Sequence, residues 1–396
     1  TTLLEMCFAQ DTVGLAIDLE GYGESDLCKL LYAENPGVVV QVRNEKEVSK
    51  ILSQFGVKHH FLGYPNSSKE LIIKTDEKTI HLNIAEMRED WFKTSYLFEK
   101  HQTKPSLAKQ RFENFQKQGL SFQFPSDFEG KLAAHNLTHR RAGRSGIKAA
   151  IIREKGVNGD REMAYSLHLA GFDVKDVHMT DLISGREDLS DVNMIAFVGG
   201  FSNSDVLGSA KGWAGAFLYN EKAKAALDAF YQREDTLSLG VCNGCQLMVE
   251  LDLVCPDHSK KPKMLHNASG KFESAFLTVE VTESKSIMLN ALAGSRLGIW
   301  VAHGEGQFQL PMAEDDYAIA AKYAYQTYPG NPNGSDYNVA ALCSVDGRHL
   351  AIMPHLERSI FPWQWAHYPA QRNEDQLSPW LLAFVEARKW VEAKNS

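Results

Sequence analysis

The 396-residue chain carries 42 Lys and Arg against 50 Asp and Glu, a formal charge of −8, with 44% hydrophobic and 23% charged residues. This composition supplies core enough for two domains and excludes global disorder. The net negative charge argues against a nucleic-acid partner, which asks for a basic surface. No run of about 18 uncharged apolar residues exists for a membrane span. The opening stretch has no positive segment ahead of an apolar one, so it does not read as a signal peptide, and a cytoplasmic location is expected. Six cysteines, at 7, 28, 242, 245, 255 and 343, are too dispersed for a disulfide framework and read as reduced thiols.

In chain order, a strand-like segment over 12–19 comes with no lead-in, as in a fragment of a domain. A helix is expected over 24–34, a β-branched strand over 38–42, a helix over 45–54, and a long amphipathic helix over 84–99 with Met87, Trp91 and Tyr96 or Phe98 on one stripe. The polar stretch 101–140, which holds Pro105 and Pro125, reads as a crossing between domains with one short helix. Its basic end, His139-Arg140-Arg141-Ala142-Gly143-Arg144, reads as a solvated linker more readily than as a phosphate site. From 147 the pattern becomes α/β: strands over 148–152, 174–178, 194–198 and 237–241 alternate with helices over 161–170, 221–231 and 243–251. Nearly continuous apolar strands flanked by helices predict a parallel sheet covered on both faces. Further strands over 275–281, 297–301, 339–345 and 350–353 surround a Gly-, Pro- and Asn-rich loop at 329–335, and a helix over 377–394 closes the chain.

The chemistry concentrates in Gly240-Val241-Cys242-Asn243-Gly244-Cys245-Gln246, where a strand should hand over to a helix. Gly-x-Cys-x-Gly is the cysteine version of the nucleophile elbow: the glycines clear a tight turn, and the elbow residue takes a strained backbone. Cys242 is expected to project its sulfur into solvent at a helix N-terminus, where the dipole favours a thiolate. A base and its orienting carboxylate follow in Met353-Pro354-His355-Leu356-Glu357-Arg358. His355 can take the thiol proton and return it to a leaving amine, while Glu357 fixes its tautomer. The backbone N–H of Asn243, with one from Val198-Gly199-Gly200-Phe201, should hold a developing oxyanion.

Duller readings stand beside this one. A cysteine after a strand is most often packing, and a lone His355 is most often structural. Cys242 and Cys245 also spell C-x-x-C, a redox dithiol, and with Cys255 and His258 they give C-x2-C-x9-C-x2-H, a zinc spacing. His303-Gly304-Glu305-Gly306 either borders a pocket or is a tight turn. No segment matches a phosphate-binding P-loop.

Taken together, GVCNGCQ (240–246) and MPHLER (353–358) resemble the class I, triad, glutamine amidotransferases. More narrowly, residues 147 to about 369 resemble the C-terminal glutaminase domain of the phosphoribosylformylglycinamidine synthase family in its large single-chain form. The further motifs are REKGVNGDREMA (153–164), GFDVKDVHMTDL (171–182), GGFSNSDVLGSAKGWA (199–214), HNASGKFES (266–274), VAHGEG (301–306) and YPGNPNGS (328–335). Residues 1 to about 100, above all LYAENPGVVVQV (31–42), resemble the end of that family's synthetase portion.

The resemblance implies an α/β amidotransferase sheet flanked by helices over 147–396, a linker over 101–146 and a smaller α+β end of the synthetase domain over 1–100. It implies Cys242 as nucleophile with His355 and Glu357, an oxyanion hole at Gly200 or Phe201 and Asn243, and glutamine contacts at Gln246, Asn267, Ser269 and Phe272. The implied reaction releases ammonia from glutamine for the ATP-dependent conversion of formylglycinamide ribonucleotide to its amidine in purine biosynthesis. It needs no cofactor in the glutaminase domain, while ATP and Mg2+ sit mostly on a preceding synthetase portion, the implied partner. The alternative is another Cys-His-Glu amide hydrolase or amidotransferase. Two departures stand out: Leu356 replaces the commoner proline of MPHPER, and the family's FSYGD reads Phe201-Ser202-Asn203-Ser204-Asp205.

Overall fold

In the computed structural model, which describes residues 1–9, 12–141 and 143–395, the chain divides into two units, 1–101 and 102–396. Gln10 and Asp11 of the opening stretch, Ala142 of the basic run and Ser396 lie outside the described residues.

In the first unit, strands β1 (Gly14–Asp18), β2 (Gly63–Asn66), β3 (Glu70–Lys74) and β4 (Thr79–Asn83) form a sheet in the order β2-β1-β3-β4. Helices α1 (Thr2–Phe8) and α4 (Ile84–Glu99) pack together, while α2 (Leu27–Tyr32) and α3 (Glu45–Gln54) lie between β1 and β2 in sequence. Ile17, Leu19, Leu71 and Ile73 make a small core. The strand expected over 38–42 is absent: Val38, Val39, Val40 and Val42 are 87%, 42%, 60% and 38% exposed and pair with no described strand. β-propensity expresses packing against neighbouring strands, and a β-branched run without an edge to join stays irregular.

The second unit begins with α5 (Pro105–Asn114). Its Arg111 meets the buried Glu273 at 2.9 Å, and Asn114 and Gln118 bind the backbone at Tyr328 and Thr327, so the segment expected to cross between domains is packed into this unit. Strands β5 (Lys148–Arg153), β6 (Asp173–His178), β7 (Met194–Phe197) and β8 (Leu237–Val241) alternate with helices α6 (Asp160–Ala170), α7 (Met179–Ser184), α8 (Lys211–Leu218), α9 (Glu221–Gln232) and α10 (Asn243–Glu250). Short β9 (Lys263–Leu265) pairs with β12 (Gln307–Gln309). Then follow β10 (Glu273–Val281), β11 (Arg296–His303), β13 (Ile319–Tyr323), β14 (Val339–Cys343), β15 (His349–Ile352) and the closing α11 (Leu381–Asn395).

Among the described residues, nine strands form one sheet in the order β11-β10-β13-β14-β15-β8-β7-β5-β6. The five from β15 to β6 run parallel, as expected for the strands at 148–152, 174–178, 194–198 and 237–241, and the other four are added antiparallel, so the whole sheet is mixed. The reason is connection length. β14 and β15 are separated by residues 344–348 alone, far short of the dozen or more residues a parallel crossover needs. β7, β8, β14 and β15 are buried at every position, which explains runs that are apolar except at Ser238 and His349. The parallel strands all end on one side, the side on which open α/β sheets gather ligands.

The opposite ends of β8 and β15 hold a buried polar group. His349, 4% exposed, bonds Ser238 Oγ through Nδ1 at 2.9 Å and stacks on Tyr231. Burial, helped by the Arg348 charge, pushes its imidazole down to about 4. An unfolded histidine takes a proton near pH 6.5 that the folded one refuses. Stability is therefore complete above about pH 6.5 and falls as the pH drops towards the folded value. His349→Gln is expected to flatten denaturant-melt stability between pH 7 and 5, removing about 2 kcal/mol of acid sensitivity.

Candidate active site

β8 gives way to α10 across the single residue Cys242, whose φ of 51° and ψ of −105° lie outside the ordinary wells of an L residue. The flanking glycines are required by space. A Cβ on Gly240 would lie 2.5 Å from Gly244 O, and one on Gly244 2.0 Å from Phe197 O. The turn is fastened by Cys242 N–H to Ile352 O (2.9 Å) and by Gln246 N–H to Cys242 O (3.0 Å). The sulfur does not project into solvent as expected. Cys242 is 5% exposed, its Sγ lies 3.5 Å from Ala302 O, and Gly199 sits against its Cβ. The end of β11 and the loop after β7 close over the elbow, an enclosure built by segments distant in sequence.

His355 follows β15 and is fixed by its own N–H to Trp300 O at 2.8 Å. Its Nδ1 is 2.6 Å from Glu357 Oε1, leaving Nε2 for a hydrogen bond to Cys242. Both partners are sealed, at 2% and 1% exposure. Burial pulls the imidazole down, but the Glu357 charge and the bonds to Cys242 and Glu357 outweigh it and hold His355 up at about 10. Leu356, at the place of the commoner proline, is buried between them and leaves the pair intact. A Cβ on Gly199 would lie 2.8 Å from His355 Cε1, so that glycine makes room for the ring.

The loop after β7 brings the expected oxyanion donors to the elbow. Phe201 N–H is spent on Gly156 O, and Asn158 N–H on Gly199 O, both at 2.9 Å. The amides of Gly200 and Asn243 make no hydrogen bond to a protein acceptor among the described residues. Of the two adjacent amides expected in this loop, Gly200 is therefore the available one. Its φ of 136°, with Val157 Cα 2.5 Å from where a Cβ would be, admits only glycine.

The profile of the CobB/CobQ-like glutamine amidotransferase domain matches residues 146–391. This chain belongs to that family. The chain is 36% identical, over its whole length, to the phosphoribosylformylglycinamidine synthase of Dictyostelium discoideum, covering 32% of that protein. It is 38% identical over 99% of the chain to the enzyme of the same name from Homo sapiens, covering 31% of it. The chain thus spans about a third of the length of these curated relatives. The solved PurLQS structure from Thermotoga maritima aligns with 63% of this chain and 100% of its own, at 23% identity and a TM-score of 0.47.

In this chain Gln246 and Asn267 are buried and already bonded. Gln246 Nε2 donates to Glu305 O at 2.7 Å. Asn267 Nδ2 donates to His303 O (2.7 Å) and Lys271 O (3.0 Å), and its Oδ1 accepts from Gly306 N–H (3.0 Å) and His303 Nδ1 (3.1 Å). The Asn267 side chain therefore ties the segment 267–271 to His303 and Gly306, at and just past the end of β11. Ser269 is buried and its carbonyl accepts from Thr103 Oγ1, whereas Phe272 is half exposed and meets Phe201 at 6.0 Å between ring centres. Ser202 and Gly156 carry no signal in the amino-acid order, because their contacts to Asn243 and Phe201 form only once the loops meet. His303 is the end of β11, buried and pushed down to about 3 by burial and by His355.

The competing readings fare differently. Cys245 is fully buried, with its thiol pushed far up by burial, so it is no partner for a dithiol. Among the described residues no group of three or more His, Cys, Asp or Glu is placed to hold a metal ion, which leaves the zinc spacing without a site. Among them also, no helix is long and apolar enough to cross a membrane.

Proposed function

We propose that this chain is the glutaminase portion of a phosphoribosylformylglycinamidine synthase. The observation that carries the reading is Cys242 at a strained elbow beside the imidazole of His355, whose Nδ1 lies 2.6 Å from Glu357 Oε1. Cys242 passes its proton to His355, whose imidazolium the Glu357 charge stabilises, and the thiolate attacks the side-chain amide carbon of glutamine. The tetrahedral oxygen is received by the N–H groups of Gly200 and Asn243. His355 then returns the proton to the departing nitrogen, ammonia leaves, and water releases glutamate from the Cys242 thioester. Gln246, Ser269 and the ring of Phe272 line the glutamine's approach, and Glu357 keeps the imidazole in the tautomer that faces sulfur.

On this reading ammonia passes to the synthetase portion of a longer polypeptide, where ATP and Mg2+ drive its addition to formylglycinamide ribonucleotide in the cytoplasm. Residues 1–100 belong to that portion. No step described for the present chain runs through ATP or a metal.

A chloroketone analogue of glutamine tests the site. It is expected to label one cysteine, identified as Cys242 by peptide mass spectrometry, and free glutamine is expected to slow the labelling. Label on another cysteine, or labelling indifferent to glutamine, overturns the proposal.

A further inference from the structure

Cys242 and the loop after β7 are joined by a side chain that the reaction above leaves idle. Asn243 is fully buried. Its Oδ1 accepts from Ser202 N–H at 3.1 Å, its Nδ2 donates to Gln246 Oε1 at 3.0 Å, and Gln246 Nε2 donates to Glu305 O at 2.7 Å. A backbone N–H can only donate and a backbone carbonyl only accept, so the two ends of this series fix the orientation of both side-chain amides.

We propose that the Asn243 side chain is a positioning residue that sets the separation of the two oxyanion donors, its own backbone N–H and that of Gly200. The inference rests on the glutaminase reading. The loop after β7 needs such a tie because it is strained: Asn203, Ser204 and Asp205 have φ of 53°, 56° and 51° in succession. Each left-handed non-glycine residue costs roughly 1 kcal/mol, and a loop so loaded relaxes unless held. Bonds to Gly156 O and from Asn158 N–H fasten it to the segment after β5, which does not carry the sulfur. The bond from Ser202 N–H to Asn243 Oδ1 fastens it to the elbow itself. Ser202 and Asn243 are both at 0% exposure, so no bulk water replaces the bond if it is lost.

Four quantities measured on the full chain test the idea with Asn243→Leu, which keeps the branched shape without the polar atoms, and with Asn243→Ala. Glutamate semialdehyde forms a reversible adduct in which the thiolate adds to the aldehyde carbon and the carbonyl oxygen becomes the oxyanion. Its affinity, and kcat for glutamate release, are expected to fall together by about 10- to 100-fold, the loss that follows when a donor is misplaced. KM for glutamine and the rate of Cys242 alkylation by iodoacetamide, which creates no oxyanion, are expected to stay within about twofold. Unchanged aldehyde affinity overturns the proposal, and so does an equal loss in alkylation, which would make the side chain a support of the whole elbow. Absence of any adduct with the unsubstituted chain defeats the glutaminase reading first, and this inference with it.

Discussion

Cys242→Ala is expected to reduce glutamate release from glutamine to the uncatalysed background while leaving the fold intact. The neighbouring thiol is no substitute: Cys245 is fully buried and burial pushes it far up. Loss of the thioester removes the route as a whole, because His355 and the oxyanion donors act on an intermediate that no longer forms. Cys242→Gly sharpens the test. At φ 51° and ψ −105° the cysteine stores backbone strain of roughly 1–3 kcal/mol, which glycine releases. The inactive glycine variant is expected to melt higher than the inactive alanine variant, by about 1 kcal/mol in a denaturant titration. A glycine variant no more stable than the alanine one would mean that the elbow is not under strain.

Glu357→Gln is expected to lower kcat by about a thousand- to ten-thousand-fold, with KM for glutamine little changed. Glutamine fits the same space, yet it removes the charge that, against the pull of burial, holds His355 up at about 10. It can also turn its amide nitrogen towards Nδ1 and so select the wrong tautomer. The sign of the pH effect follows. In the unsubstituted chain His355 keeps its proton until the pH approaches that raised value, so the alkaline limb of the kcat profile lies high. Without the carboxylate the imidazole gives up its proton earlier, and that limb is expected to move to lower pH. An alkaline limb that stays in place would show that Glu357 does not govern His355.

The two variants divide the site into parts that differ in how they are written in the chain. Cys242 and its glycines are neighbours, and so are His355 and Glu357. Each half could be read from a few consecutive residues, because an elbow and an imidazole–carboxylate pair are local arrangements. The N–H of Asn243 follows from the same local geometry. The second amide proposed to receive the oxyanion does not. Gly200 and Phe201 are adjacent, and the choice between them depends on Gly156 O taking the Phe201 N–H, a bond across the gap between two strand ends. The sulfur's burial likewise depends on Ala302 and Gly199, which are distant from it in the chain.

The sheet shows the same division. Buried strands such as β7 and β14 were legible, since a strand covered on both faces reads as a nearly continuous apolar run. β13, Ile319–Tyr323, was missed within a stretch that has no clear alternation, and it exists because β10 and β14 offer it edges. The run at 38–42 failed in the opposite sense, having the right residues and no edge.

By itself, then, the amino-acid order determined the α/β alternation, the elbow at Cys242 and the pairing of His355 with Glu357, because each depends on interactions within a few residues or on a periodicity imposed by burial. Only the tertiary structure decided that the sheet is mixed, that Gly200 and not Phe201 has an amide to offer, that the sulfur is enclosed, and that Asn243 spans the elbow and the facing loop. Those outcomes depend on which backbone donors and acceptors from remote segments meet, and a hydrogen bond between distant strand ends leaves no periodic trace in either one.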